Sequence, residues 1–442
     1  MLNLLLLLER IYNYLYGLNP MILLRKIVLI VLFTGLFIPL RASYIMIPMD
    51  KTQTNHLKAY GIAFFVLQNQ SEVNWLLNYR GGSFLMPFNP KFENELIIRG
   101  VSYVVISDAQ ANSLLQEISS PSSNTDVMHL EKAPRIAVYS PKSKQPWDDA
   151  VTLVLSYAEI PYDVIFDDDV LNNELPKYDW LHLHHEDFTG QYGKFYRIYK
   201  DYPWYKQQVQ EAEDIAARHG FAKVSLLKLA VVKKIRDFVL GGGFLFAMCS
   251  ATDTYDIALA ADGVDICAAM YDGDPPDPNA QSKLNFSNCF AFQNFTLEKD
   301  PLKYEFSNID QQKEERGLTE QNDYFTLFQF SAKWDPIPTM LTQNHERIIK
   351  GFMGQTTAFK ERLIKPEVVI MGENKDLNEA RYIYGEEVKG FFTFYGGHDP
   401  EDYEHFVGEE KTDLSLHPNS PGYRLILNNI LFPAAKKKKQ KT

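Results

Sequence analysis

Cysteine is scarce in this chain, and features typical of several other protein classes are missing. Three cysteines in 442 residues cannot build a disulfide scaffold, and no Cys-x-x-Cys pair suggests a zinc finger. Positive charge is in deficit, since the formal net charge is −11 and a general nucleic-acid binder needs a basic face to meet phosphates. No repeat with a period of roughly 20–50 residues is present. These absences exclude disulfide-rich, nucleic-acid-binding and solenoid proteins.

Apolar and aromatic residues, by contrast, are plentiful. The chain is 45% hydrophobic, and Phe, Tyr and Trp together make up 13% of it. That is enough apolar area for a sizeable core. The length allows two or three domains of about 150 residues, or one large domain with an appendage.

The first 42 residues are typical of a leader that is separate from the fold. Met21 is followed by two basic residues and then by the apolar run IVLIVLFTGLFI at 27–38, with the small residue Ala42 close behind. This pattern predicts a secretory signal peptide at about 21–42, with Met21 as the true start, and the run is shorter than the roughly 20 apolar residues of a membrane-spanning helix. We therefore expect a periplasmic or extracellular protein, and an uncleaved N-terminal membrane anchor is the alternative.

The other end of the chain, residues 434–442, is basic. It contains the lysine run Lys436, Lys437, Lys438 and Lys439. Such a run is typical of a solvated end, and weak attraction to an acidic membrane surface is the alternative.

Between these ends, short predicted strands alternate with helices. Residues 43–132 are expected to form a small α/β subdomain that includes the Ser/Pro-rich linker Ser119–Thr125. Residues 133–433 form a second unit, which begins with the strand Arg135–Ser140 and includes the buried strand Phe244–Met248. Strands that alternate with helices over short loops predict parallel βαβ units, so we expect an α/β fold with a doubly wound, mostly parallel sheet.

Reactive side chains follow several of the predicted strands. His184 and His185 follow one strand, Cys249 and Ser250 follow the next, and His398 follows the last. In an open parallel sheet, ligands bind outside the carboxyl ends of the strands. A thiol and several imidazoles at one edge therefore predict a functional site there.

Cys249 lies where a buried strand is expected to turn into a helix. Ala247 and Ala251 flank it and leave room for the tight turn that an exposed nucleophile needs. A helix N-terminus lowers the pKa of a thiol and offers N–H groups to an oxyanion. His398 supplies a base and Glu401 an acid to orient it, which gives a Cys-His-acid arrangement. A buried structural cysteine is the alternative.

On these residues, 135–433 resembles the class I glutamine amidotransferase-like superfamily. Its catalytic members carry a cysteine in a Gly-x-Cys-x-Gly elbow and a late His-Pro-Glu, to which Cys249, His398 and Glu401 correspond. The resemblance implies a flavodoxin-like sheet and a cysteine amide hydrolase of the glutaminase type. The chain departs from the pattern, since alanines replace both elbow glycines, Asp399 is inserted, and His-His-Glu-Asp stands where the family has its oxyanion-hole glycines.

In such a site we expect His184, His185, Ser250 and Gly397 to contact the substrate, a small-molecule or peptide amide. The whole chain also resembles exported bacterial proteins labelled asparagine synthetase B, through the segments NHLKAYG and LLNYRGGSF. It lacks the Ser-Gly-Gly-x-Asp-Ser loop that holds pyrophosphate in an ATP-dependent synthetase. ATP-dependent asparagine synthesis is therefore not expected.

Two other functions remain open. The aromatic segment Phe195–Tyr205 favours a non-catalytic sugar- or peptide-binding module, because aromatic rings stack on sugar faces. A metal-dependent hydrolase is the other, with the histidines at 184 and 185 joined by Asp187, Cys249 and His398 around zinc. Strand-end histidines bonded to carboxylates explain the same pattern, so we expect no metal and no other cofactor.

The two remaining cysteines lie in the second unit as well. Oxidative pairing of Cys267 with Cys289 would leave Cys249 as the one free thiol. The sequence leaves that pairing open.

Overall fold

The computed structural model describes Met21 and residues 42–143, 145–311, 316–404 and 406–435. The predicted leader, apart from Met21 and Ala42, lies outside the described residues, and so do the lysines at 436–439. From Tyr44 onward the described residues belong to one compact unit. No helix within the described ranges is long and apolar enough to cross a membrane.

The strands of the described residues are β1 Ala42–Ile47, β2 Val73–Leu77, β3 Ser83–Pro87, β4 Val104–Ser107, β5 Asp126–Leu130, β6 Ile136–Tyr139, β7 Asp163–Ile165, β8 Trp180–Leu183, β9 Phe244–Met248, β10 Tyr324–Leu327, β11 Ile348–Lys350, β12 Phe359–Lys360, β13 Val369–Asn374, β14 Glu379–Glu387 and β15 Gly390–Tyr395.

The α-helices are α1 His56–Gln68, α2 Pro90–Ile98, α3 Asp108–Ile118, α4 Ala150–Tyr157, α5 Asp167–Leu171, α6 Tyr196–Tyr199, α7 Pro203–Arg218, α8 Val224–Gly241, α9 Ser250–Ala260, α10 Ala269–Asp272, α11 Ala280–Lys283, α12 Pro336–Leu341 and α13 Pro421–Leu431. Short 3-10 turns cover Leu175–Lys177, Tyr192–Lys194, Phe286–Asn288, Glu361–Leu363, Lys375–Leu377 and Phe432–Ala434.

A five-stranded sheet with the order β4-β1-β3-β2-β5 opens the fold. In it β1 pairs antiparallel with β3, and β2 pairs antiparallel with both β3 and β5. Asn55 caps α1 by accepting the Lys58 N–H at 2.9 Å, which stabilises the start of the helix. Since α1 contacts β2, α4 and α13, it connects this sheet to the rest of the unit.

The second sheet is mixed, with the order β11-β10-β13-β14-β15-β9-β8-β6-β7 and β12 paired beside β14. Strands β7, β6, β8, β9 and β15 are parallel. Beyond β15, the strands β14, β13, β10 and β11 pair antiparallel.

The prediction of a mostly parallel, doubly wound, flavodoxin-like sheet is therefore wrong. One sheet is antiparallel, and half of the other is antiparallel as well. The reason lies in the connections, because β13 ends at Asn374, β14 runs from Glu379 to Glu387, and β15 begins at Gly390. A parallel crossover needs about a dozen residues or more, so strands joined by such short turns have to pair antiparallel.

Side chains from both sheets share one buried cluster, which includes Trp75 of β2 and Phe246 of β9. Helix α13 lies in this core, and its residues 422–431 are all buried. On this helix the Arg424 guanidinium donates to the Met49 carbonyl oxygen at 2.8 Å and to the Tyr60 hydroxyl at 3.2 Å. The last helix is thereby hydrogen-bonded to α1 and to the loop that follows β1.

Candidate functional site

Three neighbouring parallel strands deliver the candidate residues to one edge of the large sheet. His184 and His185 follow β8, Cys249 follows β9, and His398 lies shortly after β15. The three strands are adjacent in the order β15-β9-β8 and run parallel. Their carboxyl ends therefore share one edge, which brings residues distant in sequence together.

Cys249 has a strained backbone at the junction between β9 and α9. Its φ of 50° and ψ of −141° lie in a region that residues other than glycine rarely adopt. The Cys249 N–H donates to the Gly397 carbonyl oxygen at 3.1 Å, which fixes the turn to the end of β15. A thiol at positive φ between a strand and a helix has the geometry of a nucleophile elbow.

Backbone N–H groups surround the sulfur of Cys249. The Gln355 N–H donates to Sγ at 3.3 Å, and the side chain is only 4% exposed. Burial raises the pKa of the Cys249 thiol, and hydrogen bonds from the N–H groups of Gln355, Thr356 and Ser250 oppose that rise. The thiol is therefore protonated at neutral pH and needs a base, while the N–H groups are placed to stabilise negative charge.

His185 and His398 meet beside this cysteine. Their Nε2 atoms lie 3.2 Å apart, and His185 Nε2 lies 2.9 Å from the Asp148 carbonyl oxygen. Since a carbonyl oxygen can only accept, we infer that His185 carries a proton on Nε2 and that His398 presents a lone pair there. In this tautomer His398 can accept a proton.

His184 lies behind that pair and is held by a carboxylate. Its Nδ1 is 3.0 Å from Asp149 Oδ2, which also lies 3.0 Å from His182 Nε2. Burial alone would raise the pKa of Asp149, but the His182 and His184 rings hold it well below its usual range. Burial lowers the pKa of His184, which favours the neutral ring.

A cavity of about 320 Å³ opens in front of these groups. Cys249, Ser250, His185 and His398 line one part of it. Aromatic rings line another, from Trp147, Phe195, Tyr304 and Phe406. Its size is that of a small-molecule site, with an apolar wall and a few convergent polar groups.

Glu401 and Gly397 have clear partners of their own. The Glu401 carboxylate lies 3.2 Å from His417 Nδ1. Gly397 has a φ of 102°, its N–H donates to the Thr356 carbonyl oxygen at 2.9 Å, and its own carbonyl accepts the Cys249 N–H. Gly397 thus holds Cys249 and residue 356 against the end of β15 through backbone bonds.

Asp187 and the other two cysteines lie among backbone groups as well. The Asp187 carboxylate accepts hydrogen bonds from the N–H groups of Gln191 and Gly193 at 2.8 and 3.0 Å, which orders the loop after β8.

Cys267 and Cys289 are separate thiols that donate to backbone carbonyl oxygens at 3.3 and 3.4 Å. The oxidative pairing left open by the sequence is not formed in this structure.

Sequence reasoning missed the loop that supplies the N–H donors at the sulfur. Residues 352–357 lie beside Cys249, and the Arg381 guanidinium holds this loop by donating to the Phe352 and Thr357 carbonyl oxygens at 3.3 and 3.4 Å. The glycine-containing string GFMGQTT at 351–357 was the available signal. Nothing in the sequence links it to a cysteine 106 residues away.

A buried ion network lies under this loop. Arg316 Nη2 is 3.1 Å from Asp323 Oδ1 and 2.6 Å from Glu379 Oε1. Arg381 contacts the same two carboxylates, and all four side chains are fully buried. Two arginines and two carboxylates balance in charge, which is the condition for keeping ions in a low-dielectric core.

Comparison with known proteins identifies no family. No family model matches the chain, and no curated protein matches it. Among solved structures, "Cytoplasmic Protein STM3548" from Salmonella typhimurium is 10% identical with a TM-score of 0.33, covering 69% of this chain and 100% of its own. "Cytoplasmic Protein STM1381" from Salmonella typhimurium LT2 is 12% identical with a TM-score of 0.33, covering 68% and 100%.

A third similar structure is Gan42B, a GH42 β-galactosidase, at 9% identity and a TM-score of 0.25. The match covers 60% of this chain and 28% of the galactosidase chain. At these scores the three likenesses support no conclusion about activity, and the site itself has to carry the functional argument.

Proposed function

We propose that the protein is a cysteine-dependent amide hydrolase, similar to class I glutamine amidotransferases in the roles of its cysteine and histidine. The observation that carries the proposal is the setting of Cys249. The Cys249 backbone has positive φ at the junction between a parallel strand and a helix, and the Gln355 N–H donates to its sulfur. The cavity in front of it is lined by His185 and His398. A structural cysteine needs none of these features.

In the proposed reaction, His398 releases its hydrogen bond with His185 and its Nε2 takes the thiol proton, while Cys249 Sγ attacks the carbonyl carbon of the amide. The carbonyl oxygen becomes an oxyanion, which the N–H groups of Gln355, Thr356 and Ser250 stabilise. The C–N bond then breaks as the imidazolium returns its proton to the leaving nitrogen, and a thioester remains. Water, deprotonated by His398, then attacks the thioester carbon, the C–S bond breaks and the carboxylic acid leaves. The His398 imidazolium returns its proton to Cys249 Sγ, which restores the thiol.

His185 has a positioning role in this scheme. Its Nε2–H is shared between the Asp148 carbonyl oxygen and Nε2 of His398, at 2.9 and 3.2 Å. This hydrogen bond keeps His398 in the tautomer that carries its lone pair on Nε2, the nitrogen that faces His185. The substrate is a small-molecule or peptide amide that fits a cavity of about 320 Å³.

Trapping the thioester tests the proposal. The full chain is incubated with p-nitrophenyl esters of small acids, quenched with acid and analysed by intact and peptide mass spectrometry. We expect one acyl group on Cys249, none in Cys249→Ala, and an unchanged adduct in the matched variant Cys289→Ala. Equal acylation in His398→Ala and the original chain would contradict the role given to His398.

The aromatic wall favours a second candidate function, non-catalytic binding of a sugar or peptide. The Trp147 and Phe195 ring centroids are 5.2 Å apart, and those of Phe195 and Tyr304 are 5.5 Å apart. Rings grouped on one side of a cavity can stack on the apolar face of a sugar. This function predicts saturable quenching of tryptophan fluorescence by a sugar or peptide, equal in the original chain and in Cys249→Ala, without any acyl adduct.

We further propose that the protein is exported through the leader at about 21–42 and acts in the periplasm or outside the cell. The support is the short basic segment followed by an apolar run of signal-peptide length. The lysines at 436–439 would add weak attraction to an acidic membrane surface. N-terminal mass mapping of the native protein should find a start near residue 43, whereas a membrane fraction that retains Met21 would indicate the anchor instead.

A further inference from the structure

His184, His185 and His398 form a histidine trio whose ring nitrogens lie within 4.8 Å of one another. The Nε2 atoms of His185 and His398 are 3.2 Å apart, close to the separation of about 3.3 Å between two nitrogen ligands of a tetrahedral zinc ion. His184 is only 2% exposed, and its Nε2 has no hydrogen-bond partner among the described residues. A buried polar nitrogen of this kind is costly unless something binds it.

Asp149 supplies a second feature of metal sites. Its Oδ2 lies 3.0 Å from His184 Nδ1, and a proton on Nδ1 directed at this carboxylate leaves the lone pair on Nε2. Carboxylates paired with histidines in this way orient the ligands of zinc ions and raise their basicity. Asp149 is itself fixed, because its Oδ1 accepts the Thr152 N–H at 2.9 Å and its Oδ2 lies 3.0 Å from His182 Nε2.

We propose that the histidine trio binds a zinc ion, with the fourth coordination position open to the cavity. His185 and His398 line the cavity, and His184 is buried behind them. Three protein ligands on one side and solvent on the other is the arrangement of zinc sites that exchange a ligand, whereas structural sites are closed by four protein ligands. Three neutral imidazoles suit zinc among the divalent ions.

Zinc binding requires one side chain to turn. The His185 ring is stacked on His184 with an interplanar angle of 10°, and its Nε2–H donates to the Asp148 carbonyl oxygen. For its lone pair to converge with those of the other two rings, His185 gives up that stacking and that hydrogen bond. With zinc bound, the Nε2 lone pair of His398 would be occupied by the metal, so the zinc-bound protein would have no base to take the proton of the Cys249 thiol. This last consequence, inhibition by zinc, rests on the proposed function, whereas the metal site does not.

Metal titration of the full chain tests the site. Protein stripped with EDTA is titrated with Co²⁺, whose visible absorption reports four-coordinate geometry, and with Zn²⁺ against a chromophoric chelator. We expect one tightly bound ion, at least 100-fold weaker binding in His184→Ala and His398→Ala, and a loss of roughly 10–100-fold in Asp149→Asn. Asparagine still caps α4, so this variant retains the helix start. The matched control is His219→Ala, whose ring pairs with Asp168 away from the trio and should leave affinity unchanged.

Unaltered zinc affinity in His184→Ala and His398→Ala would overturn the proposal, and so would failure of the original chain to bind Co²⁺ with four-coordinate absorption. Equal urea unfolding midpoints establish that the variants are folded. Cys249→Ser should bind zinc like the original chain. Because this measurement needs no thiol chemistry, a failed metal site and a failed hydrolase are distinguishable.

Discussion

Replacement of Arg381 by alanine tests the buried ion network that supports the candidate site. Arg381 and Arg316 both contact Asp323 and Glu379, and all four side chains are fully buried. The network carries no net charge, so Arg381→Ala leaves one buried carboxylate without compensation. Removal of one partner from a buried ion pair costs about 3–5 kcal/mol.

The same substitution also loosens the loop beside Cys249. The Arg381 guanidinium donates to the Phe352 and Thr357 carbonyl oxygens, and each lost hydrogen bond costs about 1 kcal/mol. We therefore expect Arg381→Ala to lower the free energy of unfolding by about 5–7 kcal/mol in total. Urea unfolding at pH 7, with an unchanged slope, measures this loss as a shift of the midpoint.

A matched control removes an arginine from the surface. Arg218 pairs with Asp168, and its side chain is 57% exposed. Exposed pairs of this kind contribute about 0–1 kcal/mol, because solvent screens them. If Arg381→Ala were no more destabilising than Arg218→Ala, the reasoning about the network would be refuted.

Three further predictions concern the protonation of Asp253, the packing around Gly397 and the state of the thiols. Burial raises the pKa of Asp253 to about 8. The folded protein therefore keeps a proton that the unfolded chain releases above about pH 4. Because of this difference, Asp253 lowers the free energy of unfolding more and more as the pH rises from about 4 to 8. Asp253→Asn should therefore gain more stability at pH 8 than at pH 5 in urea unfolding, and an equal gain at both would contradict this. Gly397→Ala should lower the free energy of unfolding far more than Gly263→Ala. Both glycines have positive φ, but a Cβ at position 397 would lie 2.3 Å from the Phe352 ring, whereas a Cβ at position 263 would meet open space. Similar unfolding midpoints in the two variants would contradict the close packing at Gly397. Thiol titration after unfolding without reductant should give three thiols, and one thiol would mean that Cys267 and Cys289 are paired.

The fold was only partly predictable from the sequence, and the failure has a physical cause. Buried apolar runs such as Phe244–Met248 predicted the strands β8 and β9. Strands β13 and β14 lie on an antiparallel ladder, where pairing depends on turns of a few residues rather than on crossover helices. A pattern that reveals only the strands next to helices therefore predicts a mostly parallel sheet.

The candidate site was more predictable than the sheet that carries it. Residues that follow parallel strands meet at one edge whatever joins the sheet on its other side. The strands that precede Cys249, His185 and His398 were therefore enough to predict that these residues share one edge. The N–H groups of residues 355 and 356 could not, because a backbone donor leaves no signature in residue type. The pairing of Glu401 with His417 depends on how the chain turns after Pro400, which no periodicity records.

The most direct test of the Cys249–His398 proposal is the rate of Cys249 alkylation by a small electrophile from pH 5 to 9, measured in the original chain and in His398→Ala. An unassisted thiol titrates near about pH 8.5 and reacts slowly below it. We predict labelling at pH 6 that depends on His398, since a neighbouring base has to generate the thiolate of this buried thiol. Labelling that appears only after unfolding, or that is identical in both proteins, would contradict the proposal and mark Cys249 as part of the core.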